Sequence, residues 1–274
     1  MQIVKRLAAL AVLLLGIRLA CSSSATPLRI ATFNIEDFPK HDRQIEGAFA
    51  EIAALEAPIV GLQEIMNPRR FVAAMRTELG DDWQVVFEPF VDLNYRHTGV
   101  LFDRTFALIS TTTHDETMLG GDHKRVLEVR LRPHDGTPIR VLVAHLKAGA
   151  DGRAIRVRQH VELRHIVAAA HRSGDRVVVL GDFNATDDVG DRADLAALAA
   201  SSGLAWSTEP LECSAFWRRD DGCPRSRLDH VIAWAAGTAT AAGACESTGC
   251  ERQDSCPLYA TEISDHCPVV VELD

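Results

Sequence analysis

No stretch of this 274-residue sequence is apolar for long enough to cross a bilayer as a helix, which takes about 20 residues. It has no internal repeat, heptad run or low-complexity tract, so solenoid, coiled-coil and disordered readings fall away. It also lacks an excess of positive charge. Lysine and arginine number 29 against 38 aspartates and glutamates, a formal net charge of −9. That argues against a protein that coats nucleic acid by bulk electrostatics. It leaves room for one locally cationic groove, and a metal site would itself need acidic residues. No cysteine lies between Cys21 and Cys213, and no break in composition marks a domain boundary. Residues 25–274 therefore read as one domain.

Residues 1–24 have the form of an export signal. Lys5-Arg6 is the basic start, Leu7 to Ile17 the apolar core, and small residues follow. Leu19-Ala20-Cys21-Ser22 has the shape of a lipoprotein cleavage site with a serine-rich tether, which would anchor the chain to a membrane through a lipid on Cys21. Arg18 stands where that site wants an aliphatic residue, and cleavage near Ala25 is the competing reading. Both stay open: periplasmic, envelope-anchored or secreted. The other six cysteines, Cys213, Cys223, Cys245, Cys250, Cys256 and Cys267, fall in the last quarter of the chain. In an exported protein they read as three disulfides, with fifteen connectivities to choose from. Their irregular spacing disfavours a zinc cluster.

The stretch Val177-Val178-Val179-Leu180-Gly181-Asp182-Phe183-Asn184 reads as a strand buried on both faces that ends in a carboxylate and a carboxamide. In open α/β sheets that end is where ligands bind. Other elements follow the same logic. Leu28 to Asn34 alternates as a strand, Asp42 to Glu56 carries a helical stripe, and Ile59 to Leu62 is a short buried strand leading to Gln63 and Glu64. A helix is expected over Pro68 to Leu79, with proline in its first turn. Short β runs come next at Trp83–Phe87, Gly99–Phe102, Phe106–Thr111, Val126–Leu131 and Ile139–His145. A helix from about Ala154 to His171, the Val177 strand and a helix near Arg192 to Ala200 complete the regular part. After Ser201 the chain is irregular, with strands at Leu228–Trp234 and Cys267–Leu273. The class is α/β.

Strand ends or starts carry Asn34, Glu64, His145, Asp182 with Asn184, Asp229, and Asp265-His266. Singly, each has an ordinary explanation as a turn cap, a solvated carboxylate or a core histidine. Together, oxygen donors without thiolate suit a hard cation such as Mg²⁺ or Mn²⁺.

The runs Thr32-Phe33-Asn34-Ile35, Gly61-Leu62-Gln63-Glu64, Ala144-His145-Leu146-Lys147, Gly181-Asp182-Phe183-Asn184, Arg227-Leu228-Asp229-His230 and Ser264-Asp265-His266-Cys267-Pro268-Val269 carry a resemblance. In this order they resemble the endonuclease/exonuclease/phosphatase superfamily, which includes the DNase I-like nucleases. The resemblance implies a four-layer α/β/β/α sandwich, two mixed sheets face to face with helices outside. It implies Glu64 as main metal ligand with Asn34 and Asp265 nearby, for Mg²⁺ or Mn²⁺, with Ca²⁺ as an optional second ion. It implies Asp182 as the base that positions an attacking water, and Asn184 as the residue that holds Asp182 or a phosphate oxygen. His266, oriented by Asp229, would contact the phosphoryl group, and His145 would be a second phosphate contact or the proton donor to the leaving oxygen. Arg125, from the pair Lys124-Arg125, and Lys147 are weaker candidates for binding phosphate. Arg156 and Gln159 read as helix packing and surface, and His230 has no assigned role.

The superfamily cleaves DNA, RNA, phosphoinositides and sphingomyelin with one machinery, so the substrate is a separate question. The inositol phosphatase branch carries Trp-Cys-Asp-Arg where this chain has Arg227-Leu228-Asp229-His230. No apolar, aromatic hairpin of the sphingomyelinase kind is evident. The expectation is an exported DNase I-like nuclease, monomeric, acting on DNA. A phospholipase C-like or phosphomonoester hydrolase, and a catalytically silent binding module, are the alternatives.

Overall fold

The structure, a computed structural model, describes residues 27–89, 95–119, 124–134, 136–186, 188–216, 222–251 and 256–273. The leader and Cys21 lie outside the described residues.

The chain runs through β1 (Leu28–Phe38), α1 (Asp42–Ala54), β2 (Ile59–Ile65), α2 (Pro68–Glu78), β3 (Trp83–Phe87), β4 (His97–Asp103), β5 (Phe106–His114), β6 (Val126–Pro133) and β7 (Ile139–His145). It continues with α3 (Arg153–His171), β8 (Arg176–Asp182), α4 (Val189–Ser202), β9 (Ala205–Trp206), β10 (Ala215–Phe216), β11 (Arg225–Ser226) and β12 (Asp229–Ala233). Last come β13 (Gly237–Ala241), α5 (Ala244–Thr248), α6 (Leu258–Glu262) and β14 (Val269–Leu273). One six-stranded sheet has the order β13-β14-β1-β2-β4-β3 and the other β5-β6-β7-β8-β12-β9.

Each sheet contains one parallel pair, β1 with β2 and β7 with β8, while its other pairs are antiparallel. A parallel pair needs a crossover, and α1 and α3 supply it. Alternation along β8 shows why four apolar residues stand in a row. Val178 and Leu180 join Ile30, Val100, Val143 and Val231 between the sheets. Val177 and Val179 instead pack with Leu163, Val167 and Leu195 of α3 and α4. On the other sheet Phe33, Leu62 and Leu101 meet Phe49 and Ile52 of α1 and Phe71 of α2. The layers are therefore α/β/β/α.

The two sheets approach closely at Gly61, where a Cβ would stand 2.1 Å from Leu180 Cδ1. Gly181 has φ +137 and its Cβ would stand 1.9 Å from the Ala144 carbonyl oxygen, so only glycine fits beside β7. Three disulfides, Cys213–Cys250, Cys223–Cys256 and Cys245–Cys267, tie the irregular C-terminal quarter together. Among the described residues no helix is long and apolar enough to cross a membrane.

Candidate active site

The C-terminal ends of both parallel pairs meet, and each delivers one polar side chain. Asn34 comes from β1 and Glu64 from β2, opposite His145 from β7 and Asp182 from β8. All four are buried, with Glu64 the most accessible at 8 %. Asn34 Nδ2 donates to Asp182 Oδ2 at 3.2 Å, a bond that crosses from one sheet to the other. Glu64 sits in a register shift between Leu62 and Ile65 with φ +61, in the left-handed region that costs a branched or long side chain energy. Such a bulge turns a side chain out of the strand's alternation, here to within 3.6 Å of His145 Nε2.

Asp182 is held from three sides. Asn184 donates to it twice, N to Oδ1 at 2.8 Å and Nδ2 to Oδ2 at 3.0 Å, while Asn34 takes the same Oδ2. Asn184 adopts φ +50 to do so, a conformation asparagine tolerates better than most residues. The register pairs Asp182 with Asp229 on β12. Asp229 Oδ2 lies 2.8 Å from His266 Nδ1 and accepts a 2.7 Å bond from Ser214 Oγ. Ser214 Oγ in turn accepts from the Leu228 and Asp229 amides, each at 3.0 Å.

Charge is distributed unevenly. Burial pushes the Glu64 carboxyl up, with Arg96 and His266 pulling the other way. Burial also raises Asp182, opposed by His266. His145 is driven well below the ordinary histidine range by burial, with the cations Lys124, His266 and Arg96 adding to it. For His266 burial opposes the charge, but Asp229 and Asp182 outweigh it and hold the imidazolium well above that range.

The donor set fits a hard cation. Ligand atoms of Glu64, His145 and Asp182 lie within 4.8 Å of one another, as do those of Asp182, Asp229 and His266. Two of these carboxyls are raised by burial, and Asp229 Oδ1 is buried without a hydrogen-bond partner. Oxygen donors so under-compensated suit Mg²⁺-like ions better than soft metals. Asn34 Oδ1 accepts from the Glu36 amide at 3.1 Å. The Glu36 carboxylate accepts from the Asp265 amide at 3.1 Å, so these two expected metal neighbours are tied together. The Asp265 carboxylate stands nearer solvent, 26 % exposed and 3.9 Å from His266 Nε2.

The remaining expectations divide. Arg125 turns to Asp115, with Nε 2.6 Å from its carboxylate. Its neighbour Lys124 reaches the cluster instead, Nζ donating to His145 Nε2 at 2.9 Å and to the Leu146 carbonyl at 3.0 Å. Successive residues of an extended segment face opposite sides, so only one of the pair can point inward. Lys147 is fixed through its backbone, its amide donating to Gln159 Oε1 and its carbonyl accepting from Arg156. Arg156 is 2 % exposed and doubly bonded to Asp191, so it is a buried strut for the loop after β7, not surface. His230 is fully buried on the other face of β12, accepting from Trp206 Nε1, and burial brings it down to about 3. Two residues that sequence reading passed over join the site. Arg96 bonds Glu64 at 3.2 Å and Asp37 at 3.0 Å, and Ser214 anchors Asp229. Neither stands in a recognisable run.

Solved structures share this fold at low sequence identity. TDP2 from D. rerio, complexed with a single strand DNA product, aligns with a TM-score of 0.67 at 15% identity, covering 90% of this chain and 99% of that one. The human Nocturnin catalytic domain with bound sulfate aligns at 0.66 and 18% identity, covering 90% and 93%. An endonuclease/exonuclease/phosphatase family protein from Bacteroides thetaiotaomicron aligns at 0.66 and 16%, covering 91% and 98%. No curated protein matches the sequence. Residues 31–266, the span that delivers every side chain from Asn34 to His266, match the model of the Endonuclease/Exonuclease/phosphatase family, and the chain belongs to that family of metal-dependent phosphoester hydrolases.

Proposed function

We propose that the protein is an exported, Mg²⁺- or Mn²⁺-dependent phosphodiesterase that cuts nucleic acid, DNA first. The observation that carries this reading is Asp182, oriented by Asn34 and Asn184 and flanked by a neutral and a charged imidazole. Glu64 would hold the cation with Asn34 and Asp265, directly or through water. When bound, the cation neutralises charge that builds on a phosphoryl oxygen.

Asp182 takes the proton of the attacking water as oxygen bonds to phosphorus, and its three hydrogen bonds keep one carboxylate edge aimed. His266, charged, presents Nε2–H to a phosphoryl oxygen while Asp229 holds Nδ1. His145, 3.5 Å from Asp182 Oδ2, accepts from Lys124 Nζ. This pair would contact the phosphate or meet the leaving oxygen, which takes a proton from the Lys124 ammonium as its bond to phosphorus breaks. With water as the nucleophile that Asp182 activates, attack in line with the leaving group is the consistent course.

The nucleic-acid assignment is supported by the TDP2 complex with single strand DNA product, which shares the fold. Three disulfides suit an oxidising compartment, as expected for a chain carried out by its leader, with or without lipid on Cys21. A substrate panel tests the reading: plasmid, single-stranded DNA, RNA, sphingomyelin and bis(p-nitrophenyl) phosphate, each with Mg²⁺ and with EDTA. Plasmid nicking that EDTA abolishes is expected. Turnover of sphingomyelin with intact plasmid would move the protein to the phospholipase branch.

A further inference from the structure

A cavity of about 590 Å³ opens beside the site, lined among the described residues by Met66, Pro68, Arg69, Phe87, Glu88 and His97. That volume lies within the range of small-ligand sites. Its place follows from the sheet register. Ile65, next to Glu64, pairs with His97 on β4, and Phe87 pairs with Gly99 from β3. Strands are spaced about 4.8 Å, so the cavity at β3 lies about 10 Å along the sheet from the metal-ligand end of β2. In a stacked strand rising 3.4 Å per nucleotide, that is roughly three nucleotides from the scissile phosphate.

The lining is of mixed chemistry. Met66, Pro68 and Phe87 give thioether, aliphatic and aromatic surface, the kind on which a flat ring stacks. Glu88 is 3 % exposed, and its carboxylate is fixed by the Thr98 amide at 2.8 Å, Thr98 Oγ1 at 3.2 Å and Tyr95 Oη at 3.0 Å. A carboxylate has about four lone-pair sites, so one remains for a donor from outside. Burial pushes this carboxyl up to about 7, with the hydrogen bonds from Thr98 and Tyr95 pulling the other way. At the rim Arg69, in the first turn of α2, is exposed and makes no ion pair among the described residues.

Resting on the nuclease reading above, we propose that this cavity is a subsite for one nucleobase of the substrate strand, roughly three nucleotides from the cleaved bond. The base stacks on Phe87 and Met66, an amino or ring N–H of the base donates to Glu88, and Arg69 meets a neighbouring phosphate. A lipid chain would fit the apolar wall but would offer no donor to the remaining lone pair of Glu88. The phosphodiester centre alone sets the chemistry, while this subsite sets where along a strand it acts.

The test uses the full exported chain, wild type and two variants outside the catalytic cluster, Met66→Trp to fill the cavity and Arg69→Glu at its rim. Three readings are taken: hydrolysis of bis(p-nitrophenyl) phosphate, KM and kcat on a single-stranded hexanucleotide, and anisotropy of the labelled hexanucleotide in EDTA. A set of hexanucleotides with one abasic position each locates the base. Expected is a tenfold or greater rise in KM and in Kd for both variants on the hexanucleotide, with bis(p-nitrophenyl) phosphate turned over within twofold of wild type. One abasic position should cost the wild type as much and cost Met66→Trp nothing further. Hexanucleotide binding unchanged in both variants, with the small diester still cleaved, would overturn the subsite and leave the nuclease reading standing. Failure of the wild type to cleave either substrate would overturn both.

Discussion

His145 and His266 flank one carboxylate oxygen, Asp182 Oδ2, at 3.5 and 3.9 Å, and the fold leaves the first neutral and the second charged. Burial and nearby cations keep His145 neutral, whereas Asp229 and Asp182 hold a proton on His266 against burial. Two like groups whose surroundings push them apart are the usual sign of an acid and base assignment. Activity should rise with pH as Asp182, itself raised, loses its proton, and fall only as His266 loses its own, well above the ordinary histidine range. His266→Gln should abolish that alkaline limb and lower kcat/KM about 10²-fold or more. The profile of log kcat/KM against pH on a small diester decides it, and an alkaline limb that survives the substitution belongs to another group.

Ser214 is the keystone of the Asp229 arm. Ser214→Ala leaves one carboxylate oxygen and two amides short of a partner in a fully buried place. Losing such partners costs about 1–3 kcal/mol of stability. The misplacement of His266 should lower kcat about tenfold, while KM on a small diester changes little. Ser214→Thr, which keeps the hydroxyl, should restore most of kcat. Thermal melts and steady-state kinetics on the two variants separate the structural loss from the positional one.

Two of the disulfides bear on the same arm. Cys213 precedes Ser214 and is bonded to Cys250, and Cys267 follows His266 and is bonded to Cys245. The Cys267 amide donates to the Ser214 carbonyl at 2.7 Å, joining the two. Replacing Cys245 and Cys267 by serine should lower kcat at a temperature where the protein is still folded, besides costing about 2–5 kcal/mol of stability. Replacing Cys223 and Cys256 should cost stability alone. Circular dichroism and turnover on the two double variants at 15 °C tell them apart.

The parts of the site that sequence could reveal are those carried by short contiguous runs at strand ends. Asp182 with Asn184, Glu64 and Asp265-His266 are of that kind, because a buried strand imprints its own hydrophobic signature next to its functional tip. Lys124 and Arg125 were distinguishable only by which side of an extended segment faces His145. Arg96 and Ser214 act through contacts more than ten residues away and leave no local pattern. β13, Gly237–Ala241, alternates threonine with alanine and lacks the large apolar residues that announce a strand, so it is visible only through its pairing with β14. β1 runs on to Phe38 past an irregularity after Asn34, which alternation alone places at the end of the strand. Disulfide pairing depends on which loops meet, and spacing does not encode that.

A separate prediction concerns acid stability. His160 on α3 is buried against Phe183, neither ring nitrogen has a hydrogen-bond partner, and burial lowers it to about 4. The unfolded chain titrates near 6.5, so between about pH 6.5 and 4 it binds a proton that the folded one refuses. The stability this group permits is complete above 6.5 and falls as pH drops through that window, by an amount on the order of a few kcal/mol. His160→Leu, nearly matched in shape, should flatten the fall of Tm between pH 7 and 5. Parallel Tm curves for variant and wild type would mean that His160 does not carry the proton uptake.

In the proposed reaction Glu64 holds the cation and Asp182 the water at one phosphodiester site. Nicking of supercoiled plasmid with Mg²⁺, followed for wild type, Glu64→Gln and Asp182→Asn at matched Tm, tests it most directly. Nicking by the wild type that EDTA stops is expected. Asp182→Asn should fall about 10²- to 10⁴-fold, the usual worth of a positioned acid or base. Glu64→Gln should need far more Mg²⁺ to reach any rate. Nicking at wild-type speed by either folded variant at the same Mg²⁺ concentration would mean that the residue replaced does not hold the cation or the water.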